Sequence, residues 1–146
     1  MRLTQFTDYA LRLLIYAATH GGRLVTIEEA AAAYGISRNH LMKVANHLTR
    51  QGYLKSVRGR SGGLTLARPA AEIGLGLVIR ATEPDFAMVE CFGGGQGCRI
   101  HSVCRLKGVL GRALAAFLAE MDRHNLAELA VDPAHFGFEP PAALPR

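Results

Sequence analysis

Three thiols gathered on one stretch are the residues of this sequence best suited to chemistry. Cys91, Cys98 and Cys104 are its only cysteines, spaced Cys-x6-Cys-x5-Cys within fourteen residues that also hold four glycines. Structural cysteines are small buried hydrophobes and scatter through helices and strands. Three on a glycine-rich loop point instead to thiolates that converge, with glycine letting the backbone bend around a shared centre. Structural zinc favours closely spaced cysteine pairs and four protein donors, whereas here the gaps are wide and there is no fourth cysteine. Soft thiolates at wide spacing suit an iron–sulfur cluster, with one position left for another donor. His101, between the second and third cysteines, is the nearest candidate along the chain. A reversible disulfide is the competing use of the same thiols, and it would leave one of the three unpaired. No histidine or carboxylate is paired with a cysteine on a shared helical face, so the pattern is not that of an enzyme.

The second chemically distinctive feature is charge. The chain has 146 residues and a formal net charge of +5, unevenly placed. Residues 1–68 carry ten basic and three acidic side chains, and residues 69–146 carry seven basic and nine acidic. Between Glu29 and Glu72 there is no carboxylate, while Arg38, Lys43, Arg50, Lys55, Arg58, Arg60 and Arg68 fall inside that interval. A cationic stretch of this length marks a surface that an anion approaches, and nucleic acid is the expected partner. The length suits a single core with a short appendage. The apolar fraction of 49% excludes disorder as the default. No apolar run is long enough for a membrane span and no secretory pattern opens the chain, so a cytoplasmic protein is expected.

These groups must be positioned by elements that the pattern also predicts. Leu3, Phe6, Ala10, Leu13, Leu14, Ala17 and Ala18 form one stripe of a helix over 4–19 that stops at Gly21 and Gly22. On it, Asp8 reads as a surface carboxylate paired with Arg12 one turn on. A second helix starts at Thr26, with Glu29 completing a capping box, and ends at Gly35. Ser37 caps a third, which turns Leu41, Val44, Ala45 and Leu48 inward and Arg38, Asn39, Lys43, Asn46, His47 and Arg50 outward. This is the helix-turn-helix pattern. Strands at 53–57 and 64–67 follow, joined by Arg58, Gly59, Arg60, Ser61, Gly62 and Gly63. That cationic tip is a wing able to reach phosphate or the minor groove. Short helices are predicted at 70–73 and 77–83, interrupted by Gly74 and Gly76. Beyond the cysteines, Leu106, Val109, Leu110, Ala113, Leu114, Phe117, Leu118 and Met121 make an unbroken apolar series, as a dimerisation helix requires. The expectation is a mainly α fold with a small β wing. It divides into a winged helix-turn-helix domain (1–83), a cysteine-rich cluster-binding loop (84–105), a dimerisation helix (106–130) and a flexible tail (131–146).

Four stretches together resemble the Rrf-two family of bacterial winged-helix regulators, and within it the nitric-oxide-sensing branch. They are residues 1–12 (MRLTQFTDYALR), 36–44 (ISRNHLMKV), 57–64 (VRGRSGGL) and the cysteine loop continuing through 104–110 (CRLKGVL). The resemblance covers residues 1 to about 130 and implies a homodimeric transcriptional repressor on near-palindromic double-stranded promoter DNA. It implies an iron–sulfur cluster, of the four-iron or two-iron type, on Cys91, Cys98 and Cys104, with Asp8 of the partner subunit completing the ligand set. It also implies nitric oxide as effector, the alternative being an iron- or redox-responsive regulator of the same family. Lys107 stands where the cluster-assembly branch carries a histidine, and the first cysteine gap is one residue longer than the family's usual five. In such a regulator Ser37, Arg38, Asn39 and His40 are placed to meet base edges and Lys43 and Arg50 to meet phosphates. Arg58 and Arg60 would enter the minor groove from a wing whose backbone is freed by Gly62 and Gly63.

Overall fold

A computed structural model of the chain describes residues 2–94 and 97–137. The first helix, α1 (Gln5–Thr19), begins where Thr4 takes an extended backbone and its hydroxyl accepts the amide of Thr7. Ala10, Leu13, Leu14, Tyr16 and Ala17 are buried along its length. On α1 pack the three shorter helices α2 (Ile27–Tyr34), α3 (Arg38–Arg50) and α4 (Leu75–Thr82). Leu41, Leu48, Leu54, Ile73, Val78 and Leu126 close the same core, each with under 2% or about 2% of its surface exposed. A side chain of this kind contributes about 1.5–3 kcal/mol when fully buried.

Local signals set the helix ends. The Thr26 hydroxyl accepts the Glu29 amide at 3.1 Å, and Gly35 turns the chain in the left-handed region at φ 63°. A side chain at Gly35 would be strained there, which is why glycine separates α2 from α3. After α3 the chain enters an antiparallel hairpin of β1 (Leu54–Val57) and β2 (Gly63–Leu66), with Leu54 opposite Leu66 and Val57 opposite Gly63. Val25 and Leu64 exchange backbone hydrogen bonds of 2.9 and 2.7 Å, tying the approach to α2 onto the hairpin. The fold is therefore the mainly helical winged helix-turn-helix that the pattern predicts.

Three stretches differ from expectation. Residues 70–72 form a single 3-10 turn rather than a helix over 70–73, and Gly76 lies inside α4 instead of interrupting it. A Cβ at Gly76 would lie 1.9 Å from an Asp122 carboxylate oxygen, so glycine lets a distant segment approach the helix. The last helix, α5 (Leu106–Asp122), ends well short of residue 130. The chain then turns back: the Leu75 amide donates to the His124 carbonyl at 3.0 Å, and Leu126 is wholly buried against the winged half. The segment from 131 is not loose throughout. Residues Pro133–Phe136 form a 3-10 turn, and the Phe136 ring meets those of Tyr16 and Tyr34 edge-on at 5.1 and 5.4 Å. The same burial pushes the Tyr34 hydroxyl up to about 12. The rest of the tail, 138–146, lies outside the described residues. No helix among the described residues is long and apolar enough to cross a membrane.

Candidate functional site: recognition helix, wing and cysteine loop

α3 has two faces because its apolar side chains recur at 3–4-residue spacing. Leu41, Val44, Ala45 and Leu48 face the core, and Ser37, Arg38, Asn39, His40, Lys43 and Arg50 are exposed. Ser37 occupies the N-cap position, but its side chain makes no capping bond, so both its hydroxyl and the first amides of α3 are open to an outside acceptor. His47 does not share the outer face. Its Nε2 lies 2.8 Å from the Ala81 carbonyl and its ring meets Phe6 edge-on at 5.3 Å, so it joins α3 to α4 and α1. Arg38 is already engaged: its Nε donates to Glu28 Oε1 across the helix-turn-helix. That hydrogen bond helps hold the Glu28 carboxyl below its ordinary range, after the larger effect of Glu28's own backbone amide.

In the wing, Arg58 and Arg60 are exposed at the tip, and Gly59 takes φ 117°. Gly62 and Gly63 are glycines for reasons of space. A Cβ at Gly62 would lie 2.3 Å from the Val57 carbonyl oxygen and one at Gly63 2.8 Å from that of Val25. Arg68 belongs to the frame rather than the tip. Its guanidinium donates to the Gly52 carbonyl at 3.2 Å and lies 5.2 Å over the Tyr53 ring.

Residues 91–94 and 97–104 of the cysteine loop are described. Cys91 sits in a 3-10 turn (Glu90–Phe92), Cys98 is exposed, Cys104 is half-buried just before α5, and all three thiols are free. The His101 amide donates to the Cys98 carbonyl at 3.1 Å. Among the described residues no three Cys, His, Asp or Glu side chains come together as a metal-binding group, so the single chain does not gather its candidate ligands. Asp8 is held by Arg12 through contacts of 3.0 and 2.9 Å, the surface pair expected of an i,i+4 spacing. The donor set nonetheless fits an iron–sulfur cluster by its chemistry: three soft thiols, none committed to a disulfide, on a loop whose Ile100 and Val103 are 57% and 75% exposed.

Connecting the two regions are contacts that no periodicity announces. The Glu83 carboxylate, at the end of α4, accepts from the Thr4 amide at 2.7 Å and from the Thr4 hydroxyl at 3.0 Å. It thereby fixes the start of α1 next to the segment that leads to the cysteines. Arg80 makes a two-pronged contact with Asp122 at 2.5 and 2.8 Å, fastening the end of α5 to α4. α5 itself has no buried residue along seventeen positions. Phe117 and Leu114 line one side of a cavity of about 510 Å³ whose other walls include Leu3, Phe86 and Met88.

The winged helix-turn-helix with its cationic outer face, followed by a thiol loop and an unburied apolar helix, defines a transcriptional regulator rather than an enzyme. Residues 3–132 match the Rrf2 family, described as an iron-dependent transcriptional regulator, and the chain belongs to that family. It is 44% identical over 137 residues to the HTH-type transcriptional regulator NsrR of Bacillus licheniformis, a match covering 92% of this chain and 96% of the relative. Among solved structures, it resembles CymR (YrzC), the global cysteine regulator of B. subtilis, with TM-score 0.73 and 24% identity over 89% of this chain and 96% of that one. It also resembles T. potens IscR, with TM-score 0.70 and 23% identity over 99% of this chain and 94% of the other. These two similarities bear on the fold.

Proposed function

We propose that the protein is a homodimeric repressor whose hold on promoter DNA is set by an iron–sulfur cluster responsive to nitric oxide. The observation that carries this reading is the confinement of all three free thiols to the loop between a winged helix and a helix with no buried residue. The ligands would be Cys91, Cys98 and Cys104 of one subunit and Asp8 of the partner subunit. When bound, the cluster supplies iron that nitric oxide can attack, at the position where a hard carboxylate is the weakest of its ligands.

The chain's own residues do the rest. Two α5 helices pairing through Leu106, Val109, Leu110 and Leu114 cover apolar surface that one chain leaves in water. Pairing sets two α3 helices about one DNA turn apart, as half-sites of a near-palindrome require. Ser37, Arg38, Asn39 and His40 then face base edges, Lys43 and Arg50 meet phosphates, and Arg58 and Arg60 enter the flanking minor groove from a wing shaped by Gly62 and Gly63. Asp8 lies in the first turn of α1, and Glu83 holds the start of that turn against the end of α4. A carboxylate shared between subunits would thus give the loop and the dimer a common anchor, and releasing it would supply the differential contact that allostery needs.

Binding of the protein to its promoter, measured anaerobically before and after nitric oxide, tests the proposal. The expected result is a fall in affinity of at least ten-fold in the intact protein and no response in a Cys98→Ser variant. Equal responses in the two proteins would overturn it.

A further inference from the structure

An acidic side chain on a surface that meets DNA opposes binding to every phosphate, so one that stands there has to be explained by something else. Glu28 is such a side chain. It lies in the first turn of α2, and its Oε1 accepts a hydrogen bond of 2.5 Å from Nε of Arg38, the first residue of α3. Both side chains are 60% exposed, so the pair adds little to folding stability. Its geometry is more informative than its energy. A guanidinium carries five N–H donors, and engaging it through Nε leaves the terminal Nη1 and Nη2 pair available as a two-pronged edge. That edge matches O6 and N7 of guanine in the major groove. An arginine already held by a carboxylate loses less freedom on contact than one searching from solvent. Glu28 also lines a small cleft of about 200 Å³ with Thr26, Ser56, Val57 and Gly62, so its charge stands where the helix-turn-helix joins the wing.

We propose that Glu28 is a positioning residue for sequence readout: it holds Arg38 through Nε so that the Nη1/Nη2 edge reads one guanine in each half-site, and its charge weakens sequence-independent binding. The inference rests on the DNA-binding reading above and adds a determinant of specificity to it.

Selection from a random pool of DNA duplexes, run in parallel with the full-length wild type, Arg38→Ala and Glu28→Gln, tests it. The wild type should enrich a two-fold symmetric motif containing a guanine that both variants lose, with discrimination at that position falling about ten-fold. The remaining positions should be retained, and Glu28→Gln should bind unselected duplex several-fold more tightly than the wild type. A purely structural role would not remove one position selectively. The inference is overturned if Glu28→Gln keeps the guanine, if it weakens every position alike, or if Arg38→Ala keeps a guanine that Glu28→Gln loses. A wild type that enriches no motif would instead overturn the DNA-binding reading itself.

Discussion

The winged half and the loop-plus-α5 half of this chain solve the burial problem differently. Residues 2–82 form helices whose apolar faces meet one another, and Leu13, Leu14, Leu41 and Val25 have no exposed surface. No buried side-chain polar atom among the described residues lacks a hydrogen-bond partner. From Gly93 to Asp122 nothing described is buried, and Leu106 and Val109 are 59% and 50% exposed. The first region is complete within one chain. The second has the composition of a core but not its surroundings, which is what an interface and a ligand site look like before their other halves are added.

Substitutions divide along this line. The largest expected effect is at the thiols: serine at Cys91, Cys98 or Cys104 should abolish bound iron, measured by metal analysis, while shifting the unfolding of the apoprotein by no more than about 0.5 kcal/mol. Next come paired probes of apolar positions. Leu13→Ala should cost about 2–5 kcal/mol in denaturant unfolding, whereas Val109→Asp should leave the monomer folded and convert a dimer to monomer in sedimentation. If Val109→Asp unfolds the chain instead, α5 belongs to the monomer's core and the contrast is lost. Smaller again, replacing Arg58 and Arg60 together by alanine should reduce the slope of log affinity against log salt by about four per dimer, two for each subunit's wing, and leave iron content unchanged.

The weakest effect expected is on pH, at the joint between the halves. Hydrogen bonds that the His124 ring donates to the Glu128 and Glu120 carboxylates raise the His124 value, so its stabilisation is present at and below histidine's ordinary value and is lost as pH rises through the raised one. Glu128, through His124, and Asp122, through Arg80, are lowered, so their contributions are present above the ordinary carboxylate range and are lost as pH falls through the depressed values. The end of α5 should therefore be held best in mildly acidic solution, between the carboxylate and histidine ranges. His124→Ala should remove the alkaline limb of that profile, read by amide exchange around Leu126, and leave only the part of the acid limb that Asp122 carries through Arg80.

Much of the fold was legible because its causes are local. The α1 stripe, the Thr26 cap, the Gly35 turn and the glycine-rich wing each declare themselves within a few residues. What could not be read depends on partners far away in sequence. Gly76 looks like a helix breaker until Asp122 is placed beside it, and His47 looks like a surface cation until it meets the Ala81 carbonyl. Phe136 sits in a proline-containing segment that has no periodicity, yet it packs between Tyr16 and Tyr34. At the candidate site the thiols and wing cations were legible by residue type, but the Glu28–Arg38 and Glu83–Thr4 contacts were not, since neither spacing falls on one helical face. The described residues bring no three potential metal ligands together, so the cysteines' spacing is the only sign of a shared centre.

The most direct measurement is iron and sulfide content per chain, with the visible spectrum, on protein purified without oxygen and then exposed to nitric oxide. The account predicts a coloured protein with iron and sulfide in equal amounts, whose cluster absorption bleaches as nitric oxide is added. A colourless protein holding one zinc per chain, or an iron spectrum that nitric oxide leaves unchanged, would contradict it.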